Sequence, residues 1–138
     1  MIGIVIAAHS NMAQGLVNAA EMILGSLTRV EALSVGREDG PDDIRQRFSV
    51  ALDRVNVDGE GVLILTDMFG GTPSNIGLSF MASARVEVVA GVNLPMLLKA
   101  CNARCGLSIE DLAVEVKDYA EQSVVWVSQL IKERGLSR

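Results

Sequence analysis

The sequence predicts an α/β fold, with a single open sheet of about four parallel strands in the order 2-1-3-4 and helices on both faces. Short β-branched apolar runs alternate along the chain with longer segments whose apolar residues recur every three or four positions. The runs are apolar throughout, which is typical of strands buried on both faces of a parallel sheet. No repeat, low-complexity stretch or interdomain linker interrupts the pattern, so residues 1–138 are predicted to form one domain.

The elements follow from this alternation. The predicted strands are Ile2–Ala7, Val30–Val35, Val62–Thr66 and Val86–Ala90. The predicted helices begin at or near Met12, Pro41, Pro73, Leu94 and Ser108, where proline or a capping residue suits a helix first turn. Gly25 is the predicted stop of the first helix, and the apolar stripe of the third helix extends to Ala84.

The C-terminal segment is compatible with two structures. Ser123–Ser128 has the composition of a strand. A helical stripe also runs through the same region, at Ile109, Leu112, Val116, Ala120, Val124, Val127 and Ile131. Periodicity alone does not decide between a strand and a continued helix.

Composition argues against several classes of protein. The net charge of -5 and an aromatic content of 4% argue against a nucleic-acid binder, which needs phosphate neutralisation and stacking. One His and two cysteines, Cys101 and Cys105, cannot complete a zinc site, so no metal is predicted. The uncharged stretch Met1–Ala20 is too polar to span a membrane, and without a basic segment at its start it does not resemble a targeting sequence. The expected location is the cytoplasm.

Polar side chains follow three of the predicted strands at the edge where open α/β sheets bind ligands. His9 and Ser10 follow the first strand, Asp67 the third and Asn93 the fourth. If the first and third strands are neighbours, His9 and Asp67 can touch. A carboxylate that accepts from one imidazole nitrogen fixes the tautomer and leaves the other nitrogen as a nucleophile.

The loop after the third strand has the chemistry of an anion site. Gly70 and Gly71 let the backbone turn its N–H groups toward a ligand, and a helix N-terminus follows. Thr72 is the predicted N-cap and Pro73 the first helical residue, although a hydroxyl that caps a helix is not free for a phosphate. No nucleotide-binding glycine motif is present, so no cofactor is predicted.

Each of these features also has a purely structural interpretation. A lone His at a strand end is often structural or merely exposed, and Gly-Gly-Thr-Pro often forms only a tight turn that opens a helix. A general-base role for His9 in a small hydrolase is a further alternative, but no substrate contacts can be identified for it.

Three segments together resemble the enzyme IIA domain of the mannose family of the bacterial phosphoenolpyruvate-dependent phosphotransferase system (PTS). They are IGIVIAAHSNMAQGL, VLILTDMFGGTPSN and VVAGVNLPMLL, and their order and spacing match over about residues 1 to 120. The sequence departs at Met68, where some members carry a hydroxyl residue, at Phe69, where some carry Trp, and at Thr72, which replaces Ser.

The resemblance implies a phosphohistidine relay. His9 would accept a phosphoryl group from the carrier protein HPr and pass it to a IIB protein, with Asp67 orienting the ring. Gly70, Gly71 and Thr72 would hold the phosphoryl oxygens, with Asn93 and Ser10 nearby. An exposed apolar rim is expected to dock the partners, at Met12, Met68 and Phe69, although Met12 suits a core position equally well.

The resemblance also implies an assembly. Members of this family are typically homodimers that exchange a C-terminal strand, so Ser123–Ser128 could be a fifth, antiparallel edge strand. Association with the membrane proteins IIC and IID would run through IIB. Two alternatives stay open: a regulatory phosphoacceptor that serves no transport, and the related multiphosphoryl subunit of dihydroxyacetone kinase, against which the G-G-T-P-x-N loop argues.

Overall fold

A computed structural model describes residues 1–82 and 85–135, and it confirms the predicted α/β fold. Four strands form one sheet in the order β2-β1-β3-β4, and all three neighbouring pairs are parallel. The elements are β1 (Gly3–His9), α1 (Met12–Leu24), β2 (Val30–Val35), α2 (Pro41–Val55), β3 (Val62–Thr66), α3 (Thr72–Phe80), β4 (Val86–Ala90), α4 (Leu94–Ala103), α5 (Ile109–Gln122) and α6 (Val127–Glu133). Ala84, predicted to extend the stripe of α3, lies outside the described residues.

Two hydrophobic clusters cover the two faces of the sheet. In β1, Ile4 and Ile6 pack with residues of α1, α4 and α5, whereas Val5 and Ala7 pack with residues of α2 and α3. This alternation follows from the period of two in a strand. Every residue of β1 is buried except the last, His9, so the strand leads one polar side chain out of the core at the sheet edge.

The C-terminal segment follows neither of the two predicted alternatives throughout. The helical stripe is confirmed in α5, where Leu112, Val116 and Ala120 are buried. The helix then ends at Ser123, whose hydroxyl donates to the Ala120 carbonyl at 2.6 Å. Residues 124–126 have no regular structure, and α6 follows. A side-chain hydroxyl that bonds a carbonyl of its own helix in this way competes with the backbone hydrogen bond that would continue the helix. The spacing of apolar residues does not reveal this effect.

Within the described ranges, no helix is long and apolar enough to cross a membrane.

Candidate functional site

The sheet brings His9 and Asp67 together. β1 and β3 are neighbouring parallel strands, with Ala7 beside Thr66, so the residues that follow the two strands leave the sheet at the same edge. The Nδ1 atom of His9 lies 2.7 Å from Oδ2 of Asp67, and the backbone N–H of His9 donates to the same oxygen at 2.9 Å. The predicted pair is therefore a contact in the structure.

This contact assigns the two ring nitrogens different roles. An ionised carboxylate only accepts hydrogen bonds, so in the neutral ring the proton is on Nδ1 of His9 and the free lone pair is on Nε2. The His9 side chain is 49% exposed, whereas that of Asp67 is 11% exposed. The arrangement thus holds Nδ1 of the ring against a largely buried carboxylate and leaves the rest of the ring accessible to a reactant.

The environment keeps Asp67 charged. Burial disfavours its ionised form, but the backbone N–H and the ring of His9 outweigh that effect, so the pKa of Asp67 lies below its ordinary value. The other carboxylate oxygen, Oδ1, is buried and has no hydrogen-bond partner within the described part of the chain. The hydrogen bonds of the carboxylate therefore converge on His9.

Ser10 follows the last residue of β1 and turns the chain toward α1. Its φ of 55° is in the left-handed region, which a non-glycine residue seldom adopts. Its backbone N–H donates to the carbonyl of Val35 at 2.9 Å. The position immediately after His9 is thereby bound to the end of β2.

The loop between β3 and α3 passes directly beside the ring. A Cβ placed on Gly71 would lie 3.2 Å from Cε1 of His9 and 3.3 Å from Cγ of Met68, so only glycine allows this approach without displacing a neighbour. Gly70 has a φ of 86°, which also favours glycine. Gly71 thus brings main chain, rather than a side chain, next to the imidazole, and Gly70 permits the turn before it.

The prediction for the start of α3 is wrong by one residue. Gly71 is the N-cap, Thr72 the first helical residue, and no side chain makes a capping bond. The extended backbone of Gly71 (φ -81°, ψ 171°) performs the entry to the helix that the sequence assigned to Thr72. The Thr72 hydroxyl is therefore free of the capping role, and Thr72 lines the same cleft as His9.

Asn93 follows β4 and begins the next helix. Its Oδ1 accepts from the backbone N–H of Met96 at 2.9 Å, so it is the N-cap of α4. Its Nδ2 lies 3.4 Å from the Ser123 hydroxyl. Asn93 also lines a groove along β4. A local capping role accounts for its side chain.

Three large apolar side chains near the site are exposed. Met12, at the start of α1, is 45% exposed, Met68 54% and Phe69 78%. The core alternative for Met12 is therefore wrong. These side chains and the glycine loop come from segments that follow β1 and β3 at the same edge.

The cleft at His9 also includes the loop after β2, for which the sequence predicts no functional role. A cavity of about 550 Å³ is lined by His9, Ser10, Thr72 and residues of the segment after β2, among them Arg37 and Asp39. The backbone N–H of Gly36 donates to Asp39 at 2.6 Å and holds its pKa below the usual range, with Arg47 adding to that effect. The sequence offered one indication of this: the segment directly follows β2, the neighbour of β1, and so starts at the same end of the sheet as His9.

No group of three or more His, Cys, Asp or Glu side chains that could hold a metal ion occurs in residues 1–82 and 85–135.

Comparison with known proteins points to one family. The model of the EIIA-man family, described as the PTS system fructose IIA component, matches residues 3–117. The chain is 34% identical over 124 residues to the PTS fructose-specific EIIA component of Bacillus subtilis (strain 168), covering 89% of this chain and 84% of that protein. It is 33% identical over 104 residues to the PTS mannose-specific EIIAB component of Escherichia coli (strain K12), covering 75% of this chain but 32% of that protein.

A solved structure agrees with these relatives. The fold matches the PTS component EIIA of Streptococcus agalactiae with a TM-score of 0.83 and 31% sequence identity. The match covers 94% of this chain and 99% of that one.

Proposed function

The chain belongs to the EIIA-man family of PTS components, a phosphotransfer family, and on that premise we propose that Nε2 of His9 is the atom that carries the phosphoryl group. In the proposed relay, HPr donates the group and a IIB protein receives it. The observation that carries this proposal is the pair of hydrogen bonds from His9 to one oxygen of Asp67, at 2.7 Å and 2.9 Å.

The proposed step is an in-line transfer between two imidazoles. The lone pair of Nε2 forms the new bond to phosphorus while the bond from phosphorus to the donor histidine nitrogen breaks, and that nitrogen keeps the electron pair. The proton stays on Nδ1, so the His9 ring becomes positively charged, and the Asp67 carboxylate 2.7 Å away offsets that charge. Transfer of this kind depends mainly on positioning and electrostatic stabilisation.

The groups around the ring suit an anion. The main chain of Gly71 lies against the ring, and the first turn of α3 has N–H groups without helical acceptors. The Thr72 hydroxyl adds a side-chain donor on the same cleft. We assign the non-bridging phosphoryl oxygens to these donors.

The exposed apolar rim supports docking of partner proteins. Met12, Met68 and Phe69 leave large apolar surfaces beside the reacting histidine. Methionine side chains are flexible and polarizable, so they can pack against partners of different shape. One face that must bind both a donor and an acceptor in turn benefits from that adaptability.

The test is phosphorylation in a reconstituted system. With phosphoenolpyruvate, enzyme I and HPr, the protein should acquire a phosphate that is labile in acid and stable in base, and His9→Ala should acquire none. Circular dichroism of the variant serves as the folding control. Undiminished labelling of a folded His9→Ala protein would refute the assignment.

A chase of the labelled protein separates transport from regulation. Addition of a IIB protein should remove the phosphate if the chain acts in a relay. Phosphate that persists with every IIB protein of the same bacterium would favour the regulatory alternative, in which the phosphorylation state itself is the signal.

A further inference from the structure

We propose that Arg37 contacts the phosphoryl group carried by His9 and stabilises the phosphorylated form of the protein. This inference rests on the proposed function of His9. It assigns a residue outside the histidine–aspartate pair and outside the glycine loop, on the opposite side of β1 from both.

The sheet register places the loop of Arg37 beside His9. His9 is paired with Val35 at the end of β2, and the N–H of Ser10 donates to the Val35 carbonyl at 2.9 Å. The chain after Val35 therefore starts next to the reacting residue. Arg37 is two positions further on and lines the cleft that His9 and Thr72 also line. Asp67 approaches His9 from β3, so the ring lies between a carboxylate on one side and a guanidinium-bearing loop on the other.

Internal bonds hold this loop in place. Oδ2 of Asp39 accepts from the Gly36 N–H at 2.6 Å and lies 2.8 Å from Nη2 of Arg47. Nη1 of Arg47 also donates to the carbonyl of Ser34 at 2.6 Å, and its Nε donates to Asp43 at 3.1 Å. Arg47 therefore fixes both ends of the turn from α2.

None of these bonds involves Arg37, so its guanidinium is available to a ligand in the cleft. Apart from His9, it is the only basic side chain that lines the cavity among the described residues, and it is exposed with no ion pair there. The charge of Asp39 is already balanced by Arg47. The charge of Asp67 faces the ring of His9. Glu38, the next residue along the loop, is not part of the cavity lining.

A phosphorylated His9 needs such a charge. The transferred group brings two negative charges to a cleft that Asp39 lines and to a ring that the Asp67 carboxylate contacts, while main-chain N–H groups and the Thr72 hydroxyl supply only partial positive charges. A guanidinium binds phosphoryl oxygens through charge-assisted and often paired hydrogen bonds. Because this contact exists only after the group has arrived, it stabilises the product of the transfer.

Because the contact exists only in the phosphorylated protein, the decisive measurement is the equilibrium of phosphoryl transfer between HPr and this protein. Phospho-HPr and unphosphorylated protein are mixed without enzyme I, and the final ratio of the two phosphoproteins is measured by phosphate-affinity electrophoresis. A residue that only assists docking changes how fast the ratio is reached, because docking leaves both end states unaltered. A residue that contacts the phosphoryl group changes the ratio itself.

The variants are Arg37→Gln, Arg37→Lys and, as a matched control, Arg85→Gln. Arg85 is exposed and precedes β4 at the opposite edge of the sheet, so its substitution makes the same change in net charge away from the cleft. We expect Arg37→Gln to shift the equilibrium toward phospho-HPr by roughly three- to ten-fold. Arg37→Lys should shift it less, because the charge remains and the paired geometry is lost. Arg85→Gln should match wild type.

Two results would overturn the inference, and they are distinguishable. A wild-type ratio for Arg37→Gln, whether reached at the normal rate or slowly, shows that Arg37 does not contact the phosphoryl group. Failure of the wild-type protein itself to accept phosphate removes the proposed function of His9, and this inference with it. Thermal melting of each variant checks that the fold is intact.

Discussion

Asp67 acts on His9 in two ways that a single oxygen combines. It accepts the N–H of the His9 backbone at 2.9 Å, which fixes where the residue lies, and it lies 2.7 Å from Nδ1, which fixes how the ring is turned and protonated. A neutral hydrogen-bonding group could supply the geometry. Only an anion supplies the charge that offsets a phosphorylated, cationic ring.

Asp67→Asn separates these contributions. The amide has nearly the shape of the carboxylate, so we expect a folded protein that accepts phosphate from phospho-HPr roughly 100-fold or more slowly. Rapid-quench kinetics of the transfer provides the measurement. Asp42→Asn, at an exposed position in the first turn of α2, is the matched control and should transfer at the wild-type rate. Equal rates for the two variants would remove Asp67 from the mechanism.

Those site residues whose positions follow from the ends of strands could be predicted from the sequence, whereas those placed by backbone geometry or by packing between loops could not. His9 and Asp67 could be paired from the sequence because each directly follows an apolar run, and neighbouring parallel strands end at one edge. Thr72 was assigned the wrong capping role because the backbone of Gly71, which has no side chain to read, makes the turn. Arg37 could not be singled out from the sequence, because its place in the cleft depends on how separate loops fold together, and its segment has the composition of an ordinary acidic turn.

At the scale of elements, the strands could be predicted because burial on both faces produces unbroken apolar runs. The exception is the end of β1, which continues to His9 although the sequence turns polar there. Pairing of His9 with Val35 extends the strand by one ladder position that hydropathy does not show. The segment after α5 could not be predicted, because its composition suits either element and the decision depends on what covers it.

We propose that a second copy of the chain covers this segment. Val124 is 79% exposed and Trp126 72%, and the groove along the edge strand β4 is lined by apolar residues, including Val88 and Ala90. An uncovered edge strand and a large exposed apolar segment both favour association. The proposal is a homodimer in which the C-terminal segment of each chain contacts the other.

Trp126 reports on this contact directly, because it is the only tryptophan in the chain. We expect sedimentation velocity to give a dimer and Trp126→Asp to give a monomer. In the wild type, tryptophan emission should shift to longer wavelength as dilution dissociates the dimer. Tyr119→Asp, a change of the same charge at a side chain 45% exposed on α5, is the comparison for non-specific effects. A wild-type monomer at all concentrations would contradict the proposal.

On the scale of the whole molecule, the two edges of the sheet are built differently. The edge at the carboxyl ends of the strands carries the exposed histidine and its cleft. The edge at their amino ends contains a cluster of ion pairs. The N-terminal amine lies 2.5 Å from Oδ2 of Asp58 and 2.6 Å from Oε2 of Glu60, and Arg29 donates to the same Asp58 oxygen at 2.6 Å. These contacts tie the first residue of the chain to the turn before β3, which positions the two strands that carry the site.

This cluster predicts a pH dependence with two limbs. The amine and Arg29 hold the pKa of Asp58 well below its ordinary value of 3.8, so the stabilisation is present above that pH and is lost as pH falls toward the folded-state pKa. Hydrogen bonds to Asp58 and Glu60 raise the pKa of the N-terminal amine above 8.0, so its share is complete below pH 8.0 and is lost as pH rises through the raised value.

Asp58→Asn should therefore melt at a lower temperature than wild type by an amount that depends on pH. The difference should be constant between about pH 5 and pH 7. It should shrink below about pH 4, as the contribution of the Asp58 charge declines, and above about pH 8, as the amine loses its charge while Arg29 keeps its own. Thermal melts across this range provide the measurement, with Asp53→Asn on the exposed surface of α2 as the control. A difference that stays the same from acid to alkali would mean that Asp58 contributes through local backbone geometry, such as its bond to the Glu60 N–H, rather than through the charges of the amine and Arg29.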